Sequence, residues 1–330
     1  MRRSILAVAF VATAFAAQSA ETYGPELEGF DYPFPVKRHA FESQGQSVSM
    51  AYLDIAPEKP NGKVAVLLHG KNFCAATWEG QIRLLTGAGF RVIAPDQVGF
   101  CKSTKPAAYQ FTFQQLATNT ADLLRSLGIG KATIIGHSMG GMLAARFALM
   151  MPDRVETLVL VNPLGLEDWQ AAGVPWQTIE AGYRAERKTT FESIKAYQLK
   201  FYFNGQWKPE YDRPVQMQAG LYAGSGAERV AWIGAQTSDM IFTQPVVHEL
   251  QNLRVPTVLM AGGRDRTAPG AVRAPAEIQA RLGRYDRLAP EAASRIPNAK
   301  LVMFPELGHG PQVEAPERFN AELLKALGAD

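Results

Sequence analysis

Apolar residues occur along this chain in two kinds of run. Between residues 63 and 163, short unbroken runs (KVAVLLHG, RVIAP, KATIIG, VETLVLVNP) alternate with longer stretches whose apolar positions recur three or four apart. The unbroken runs read as strands covered on both faces. The periodic stretches read as helices: WEGQIRLLTGAGF, MGGMLAARFALMMP, and TFQQLATNTADLLRSLGI, which sets Phe113, Leu116, Leu123, Leu124 and Leu127 on or near one face. Strand and helix follow one another with short connections, which predicts an α/β fold with a mostly parallel sheet and helices on both faces. Ahead of this core, residues 36–55 alternate around Gln-Gly-Gln and predict an antiparallel hairpin. Residues 21–35 carry three prolines and read as an extended leader.

The alternation stops after the sixth predicted strand. Residues 164–250 hold clusters of Trp, Tyr and Phe, with helix-like segments such as ESIKAYQLKFYFNGQW and no strong buried strand. The sheet pattern resumes at VPTVLMAGGRD, continues through AKLVMFPELGHG, and closes with the helix PERFNAELLKALG. The expected organisation is a core of residues 21–163 and 251–330, interrupted by a helical cap over 164–250. No internal repeat stands out.

Residues 1–20 are set apart from this plan. Arg2 and Arg3 precede an Ala-, Val- and Phe-rich run that ends in small residues, the layout of a secretory signal peptide, with cleavage after Ser19 or Ala20. The apolar run is short for a bilayer span, and no other run is long enough. The expectation is export to the periplasm or beyond, with no stable membrane span after cleavage. Export changes the reading of charge. The formal net charge is +3, and removing the two signal arginines leaves 32 Lys and Arg against 31 Asp and Glu. That balance gives no basic excess for a nucleic-acid partner. Export also makes the only two cysteines, Cys74 and Cys101, a disulfide candidate rather than two unrelated buried thiols. With 47% hydrophobic and 20% charged residues, the chain can bury a sizeable core. No cluster of His, Cys and acids has metal-ligand spacing, so neither metal nor organic cofactor is implied.

The sharpest chemical signal is IIGHSMGGM, a G-x-S-x-G elbow at residues 136–140 between a predicted strand and a predicted helix. The glycines permit a tight turn that raises the Ser138 hydroxyl at the sheet's end and aims a helix N-terminus at it. The spacing of a phosphate-binding loop is absent. A serine hydroxyl needs a base. Of five histidines, His39 falls in the early hairpin, His69 at a strand end as a loop-shaping residue, His137 beside the serine but pointing away, and His248 at the end of the insertion. His309 follows the last predicted strand and is the expected general base. Asp265, in the Gly-rich loop after VPTVLMAGG, is the expected orienter of that imidazole, with Asp286 and Glu306 as the fallback acids.

The order Ser138, Asp265, His309, together with LLHG, VIAPDQVGFCKSTKP, GHSMGG, GGRDRTAP and LGHGPQVEAPERF, resembles the α/β-hydrolase superfamily over roughly residues 36–328. Within it the chain is similar to the cap-bearing serine hydrolases: esterases, cofactor-free haloperoxidases, proline iminopeptidases and carbon–carbon bond hydrolases. Epoxide hydrolases and haloalkane dehalogenases carry an aspartate where this chain has Ser138. The resemblance implies an oxyanion hole made of the Lys71 N–H, with Asn72 as the alternative donor, and the Met139 N–H. Lys71 departs from the apolar or aromatic residue usual at that position, and its ammonium could face solvent, pair with an acid, or meet an anionic substrate. The resemblance also makes the strands preceding Cys74 and Cys101 neighbours, which implies a Cys74–Cys101 bridge holding the oxyanion loop. Among the aromatics of the insertion (Trp169, Trp176, Tyr183, Phe201, Tyr202, Phe203, Trp207, Tyr222, Trp232, Phe242), some would line a lid and more than half would pack its own core.

The function expected is therefore hydrolysis of a small hydrophobic ester or lactone through an acyl-enzyme. A carbon–carbon bond hydrolase or an amidase would use the same residues. An aminopeptidase would need acids for a free amine, for which Glu167, Asp168, Glu180 and Glu186 are the candidates. A receptor on a hydrolase scaffold is the non-enzymatic alternative. The oligomeric state is not encoded in any recognisable pattern.

Overall fold

The computed structural model describes residues 21–71 and 73–329. The expected signal segment, residues 1–20, and the second candidate for the oxyanion donor, Asn72, lie outside the described residues. Eight strands form one sheet: β1 (Val36–Ser43), β2 (Gln46–Ile55), β3 (Val64–Leu68), β4 (Arg91–Pro95), β5 (Ala132–His137), β6 (Val155–Val161), β7 (Thr257–Gly262) and β8 (Ala299–Phe304). Their spatial order is β1-β2-β4-β3-β5-β6-β7-β8. The β1–β2 and β2–β4 pairs are antiparallel, and every pair from β4 to β8 is parallel.

The unbroken apolar runs follow from this layering. In β3, Ala65 and Leu67 face one core while Val66 and Leu68 face the other. Helix α1 (Glu79–Gly87) supplies Ile82 and Leu85 to the first of these cores. Helices α2 (Phe113–Ser126) and α3 (Met139–Met150) supply Phe113, Leu116 and Phe147 to the second. The Thr112 hydroxyl caps α2 by accepting the Gln115 N–H at 3.0 Å.

Four helices lie between β6 and β7: α4 (Ile179–Glu186), α5 (Phe191–Phe201), α6 (Asp212–Ala223) and α7 (Ala227–Thr243). The single-turn helix α8 (Ala276–Gln279) and the longer α9 (Tyr285–Arg295) follow β7. Beyond β8 come α10 (Pro311–Glu314) and α11 (Pro316–Leu327), the latter packing Phe319 and Leu323 under the sheet with α1. Among the described residues, no helix is long and apolar enough to cross a membrane.

One expectation needs correcting. Residues 21–31 are not an extended leader. Tyr23, Leu27 and Phe30 are buried, and the Tyr23 N–H donates to the Gly220 carbonyl of α6 at 3.0 Å. The prolines suggest extension, but three apolar side chains outweigh them by finding a surface to cover.

The parallel strands point their carboxyl ends the same way. The sheet's order reverses between β3 and β5, where ligand crevices form in open α/β sheets. The loops after β3, β5, β7 and β8 all open at that edge. Close approach there depends on Gly140, because a Cβ at this position would collide with the Leu68 and His69 carbonyls. Gly140→Ala is therefore expected to cost about 1–3 kcal/mol of stability, the usual range for overpacking. The shift in the urea unfolding midpoint measures it.

Candidate active site

Ser138 stands between β5 and α3 with φ 58° and ψ −119°. A non-glycine residue in this region is strained, and the surroundings must hold it. They do so through backbone bonds: the Ser138 N–H donates to Val161 O (3.0 Å), while its carbonyl accepts from Gly141 (2.9 Å) and Leu164 (3.1 Å). The Met139 and Gly140 N–H groups, next in the chain at the start of α3, bond no backbone carbonyl among the described residues.

His309 is fully buried, in the loop after β8. Its Nδ1 donates to Asp265 Oδ2 at 2.6 Å. Asp265 is equally buried, and two further donors hold its carboxylate: Asn162 Nδ2 (2.8 Å) on Oδ2 and the Thr267 N–H (2.7 Å) on Oδ1. Among the described residues, His309 Nε2 has no hydrogen-bond partner. The acids Asp286 and Glu306 are engaged by arginines instead. Asp286 pairs with Arg284 at 2.8 Å and Arg266 at 3.3 Å, and Glu306 pairs with Arg318.

The other histidines have structural work. His137 Nε2 donates to the His309 carbonyl at 2.8 Å, so the residue beside the serine carries the backbone of the loop after β8. Burial, reinforced by the neighbouring His309, pushes the His137 imidazole down to about 3, which keeps it neutral. His69 shapes its loop by accepting the Gln97 N–H at 3.0 Å and bonding Gly70 O at 2.8 Å. His39 pairs with Asp122 and His248 with Asp168, both away from Ser138.

Three supports of His309 have no sequence motif. Asn162, at φ 38° just past β6, bonds both Asp265 and the Gly262 N–H. The Tyr202 ring lies 4.5 Å from the imidazole, and its carbonyl accepts the His309 N–H at 3.2 Å. Glu314 accepts the Gly308 N–H at 2.7 Å, and burial pushes its carboxyl up to about 7. The polar residues Asn162 and Glu314 are legible in sequence only as members of the segments after strands.

The loop after β3 passes directly beside the serine: a Cβ on Gly70 would stand 3.1 Å from the Ser138 Cβ. The Lys71 N–H bonds no carbonyl among the described residues. The Lys71 ammonium pairs with Glu186 Oε1 of α4 at 2.8 Å. Glu186 also accepts from Tyr222 and, at 3.3 Å, from Ser238. Burial alone would raise the Glu186 carboxyl, but Lys71 and these hydroxyls hold it below its usual value. The lysine thus takes the acid-pairing course among those open to it. Cys74 and Cys101 lie with Cα atoms 5.8 Å apart and their sulfurs within bonding distance. Asp96 lies within 4.8 Å of both sulfurs, but its carboxylate is already occupied by the Ala75 N–H (2.7 Å), the Lys102 N–H (3.1 Å) and Tyr32 (2.7 Å).

A cavity of about 450 Å³ lies over Ser138. Lys71 and Thr267 line it from the core, and Leu164, Ile179, Glu186, Ile194, Tyr197, Tyr202 and Phe242 from the insertion. Of the ten aromatics weighed as lid or core, Trp176, Tyr202 and Phe242 reach it. Phe203, Trp207 and Phe201 pack with one another and with Tyr211 instead. Tyr197, outside that group of ten, reaches it as well. The four acids considered for a free amine are also accounted for. Glu186 is bound to Lys71, Asp168 to His248, and Glu167 to the Gly283 N–H and Trp169 Nε1. Glu180 is not among the cavity residues.

A mostly parallel sheet with a strained serine on its elbow, a buried imidazole–carboxylate pair and a covering helical insertion defines a hydrolase scaffold. Residues 64–316 match the family described as having the alpha/beta hydrolase fold, and the chain belongs to that family. It is a hydrolase. It is similar to a probable hydrolytic enzyme from Pseudomonas aeruginosa, whose crystal structure shares 60% sequence identity and a TM-score of 0.93, covering 93% of this chain and 99% of that one. A 2-hydroxy-6-oxononadienedioate/2-hydroxy-6-oxononatrienedioate hydrolase from Burkholderia vietnamiensis is 28% identical over 79% of this chain and 86% of its own length. An esterase from Exiguobacterium antarcticum shares the fold, with a TM-score of 0.65 at 22% identity over 85% of this chain and 96% of that one.

The Lys71–Glu186 pair generates a stability prediction. Both side chains are under one-fifth exposed, and Lys71→Met strands the carboxylate. The expected cost is about 3 kcal/mol at neutral pH. Because the folded Glu186 pKa lies below its unfolded value near 4.5, its contribution is present above that pH and is lost as pH falls through the lower folded value. Urea midpoints from pH 3 to pH 7 should show the wild-type advantage over Lys71→Met shrinking on the acid side.

Proposed function

We propose that this hydrolase cleaves a carboxylic ester or lactone through an acyl-enzyme on Ser138. The observation that carries this reading is the fully buried His309–Asp265 pair, whose Nε2 is left without a partner at the same sheet edge as the strained serine. In the proposed cycle Ser138 Oγ attacks the carbonyl carbon and passes its proton to His309 Nε2. Asp265 holds the imidazole in the right tautomer and stabilises the imidazolium. The Lys71 and Met139 N–H groups receive the oxyanion, each worth roughly 3–4 kcal/mol of transition-state stabilisation. The imidazolium then protonates the leaving alkoxide, and water, deprotonated by the same imidazole, releases the acid. Residues 164–250 act as the lid that keeps the cavity apolar.

A second reading, carbon–carbon bond hydrolysis, is favoured by the names of curated relatives such as the Burkholderia vietnamiensis hydrolase. An aminopeptidase is disfavoured, because none of the four acids considered for an amine is free to meet one at the cavity.

A panel of short-chain p-nitrophenyl esters tests the reaction. Wild type should turn them over, and Ser138→Ala should lose roughly 10⁴-fold or more in kcat. A slow substrate or an organophosphate should leave a covalent adduct on Ser138, detected by mass spectrometry. Turnover of a 2-hydroxy-6-oxo dienoate with no ester turnover would replace the ester reading by the second one.

The proposal includes export, with residues 1–20 removed, and a Cys74–Cys101 disulfide in the mature chain. Thiol titration of the unfolded, unreduced protein isolated from the periplasm should find none. Two titratable thiols would overturn the bridge.

A further inference from the structure

The cavity over Ser138 is lined by two cations with different surroundings. Lys71 is neutralised by Glu186 at 2.8 Å. Arg273, in the loop after β7, has no carboxylate partner among the described residues. Its position is nonetheless built. The guanidinium lies over the Phe242 ring, 4.8 Å from its centroid, and Nε donates to the Pro175 carbonyl at 2.8 Å. Beneath it is Gly270, at φ +78°, where a Cβ would collide with the guanidinium itself. Three supports therefore fix the plane of the fork. Its two terminal nitrogens have no hydrogen-bond partner among the described residues. Two cavity residues beside it are open to solvent: Val272 is 81% exposed and Trp176 is 56% exposed.

We propose that Arg273 binds a carboxylate at the end of the substrate remote from the scissile carbonyl, so that the substrate class is an ester or lactone with an apolar body and one anionic terminus. This rests on the ester reading above. A planar, pre-oriented guanidinium is matched to bidentate capture of a carboxylate and loses little freedom on binding. An arginine serving only as a strap between the Pro175 segment and the core would need the Nε bond alone. Asp239, the other acid lining the cavity, accepts from Trp176 Nε1 at 2.8 Å and makes no ion pair with Arg273. One unpaired cation suits one carboxylate. A second carboxylate on the substrate would find no unpaired cation in the cavity and would have to stay hydrated.

The test is a ratio of kcat/KM values for matched pairs. One pair carries the charge on the acyl side: mono-p-nitrophenyl glutarate against its methyl ester. The other carries it on the alcohol side: 4-butyryloxybenzoate against its methyl ester. Wild type should favour the acid over its methyl ester in one pair by about tenfold, the worth of one charge-assisted contact. That preference should fall with added salt. R273Q should lower the ratio about tenfold, and R273K, which keeps the charge but not the fork, should fall between and serve if R273Q does not fold. A purely structural strap would change both members of each pair alike. A ratio indifferent to R273Q and R273K in both pairs overturns the proposal while leaving the ester reading intact. If wild type cleaves no ester, the ester reading fails and calorimetric titration with monomethyl glutarate decides the arginine separately. Binding weakened about tenfold in R273Q supports it, and equal or absent binding in both proteins overturns it.

Discussion

A carboxylate with no exposure to water must be satisfied from within, and Asp265 imposes that requirement on the whole active edge of the sheet. Its oxygens need donors, and an unpaired buried charge would cost several kcal/mol. The donors come from three places: Asn162 at the end of β6, the Thr267 N–H in its own loop, and His309 after β8. Meeting the requirement therefore fixes the ends of three strands relative to one another. His309 cannot turn away without stranding the carboxylate. Its backbone is in turn pinned by His137 and Tyr202. Since His137 is the residue next to Ser138, the same set of bonds ties the imidazole to the elbow.

The opposite side of the cavity is held by different chemistry. The loop after β3 must bring Lys71 close to Ser138 without a regular element to support it. The Asp96 carboxylate supports it at Ala75, the Cys74–Cys101 contact ties it to the next loop, and Lys71 reaches across to Glu186. The last of these joins the core to the insertion. Any displacement of α4 away from the core separates a largely buried cation from a largely buried anion. That coupling makes the placement of the loop backbone depend on the insertion being closed over the serine.

The sequence made the order of the chemistry readable but not its support. Ser138 was legible because its turn demands glycines at fixed spacing, and His309 and Asp265 because each follows a predicted strand in the expected chain order. The ten aromatics of the insertion were visible as a group. Which of them faced the cavity was not, since a ring looks the same in sequence whether it packs on Tyr211, as Phe203 does, or opens on Ser138, as Tyr202 does. Asn162, Glu186 and Arg273 were hidden for a related reason. Their partners lie about a hundred residues away, at Asp265, Lys71 and Pro175, and no local period records a contact that only the folded chain makes. The leader failed in the same way: its prolines were local and its partner, Gly220, was remote.

The charges of the cavity then separate two tasks that one lysine could have confused. Sequence alone left Lys71 free to act as an anion receptor beside the nucleophile. A free ammonium there would hold a substrate carboxylate close to the carbonyl under attack, and the developing oxyanion would meet a like charge in a poorly screened space. Pairing with Glu186 at 2.8 Å removes that conflict, and the proposed oxyanion role rests with the Lys71 backbone N–H alone. The guanidinium proposed to hold the carboxylate lies instead beside the exposed Val272 and Trp176, where a carboxylate keeps partial hydration. On the proposal, recognition belongs to a cation fixed by a ring, a carbonyl and a glycine, and reaction to Ser138 with the buried His309–Asp265 pair.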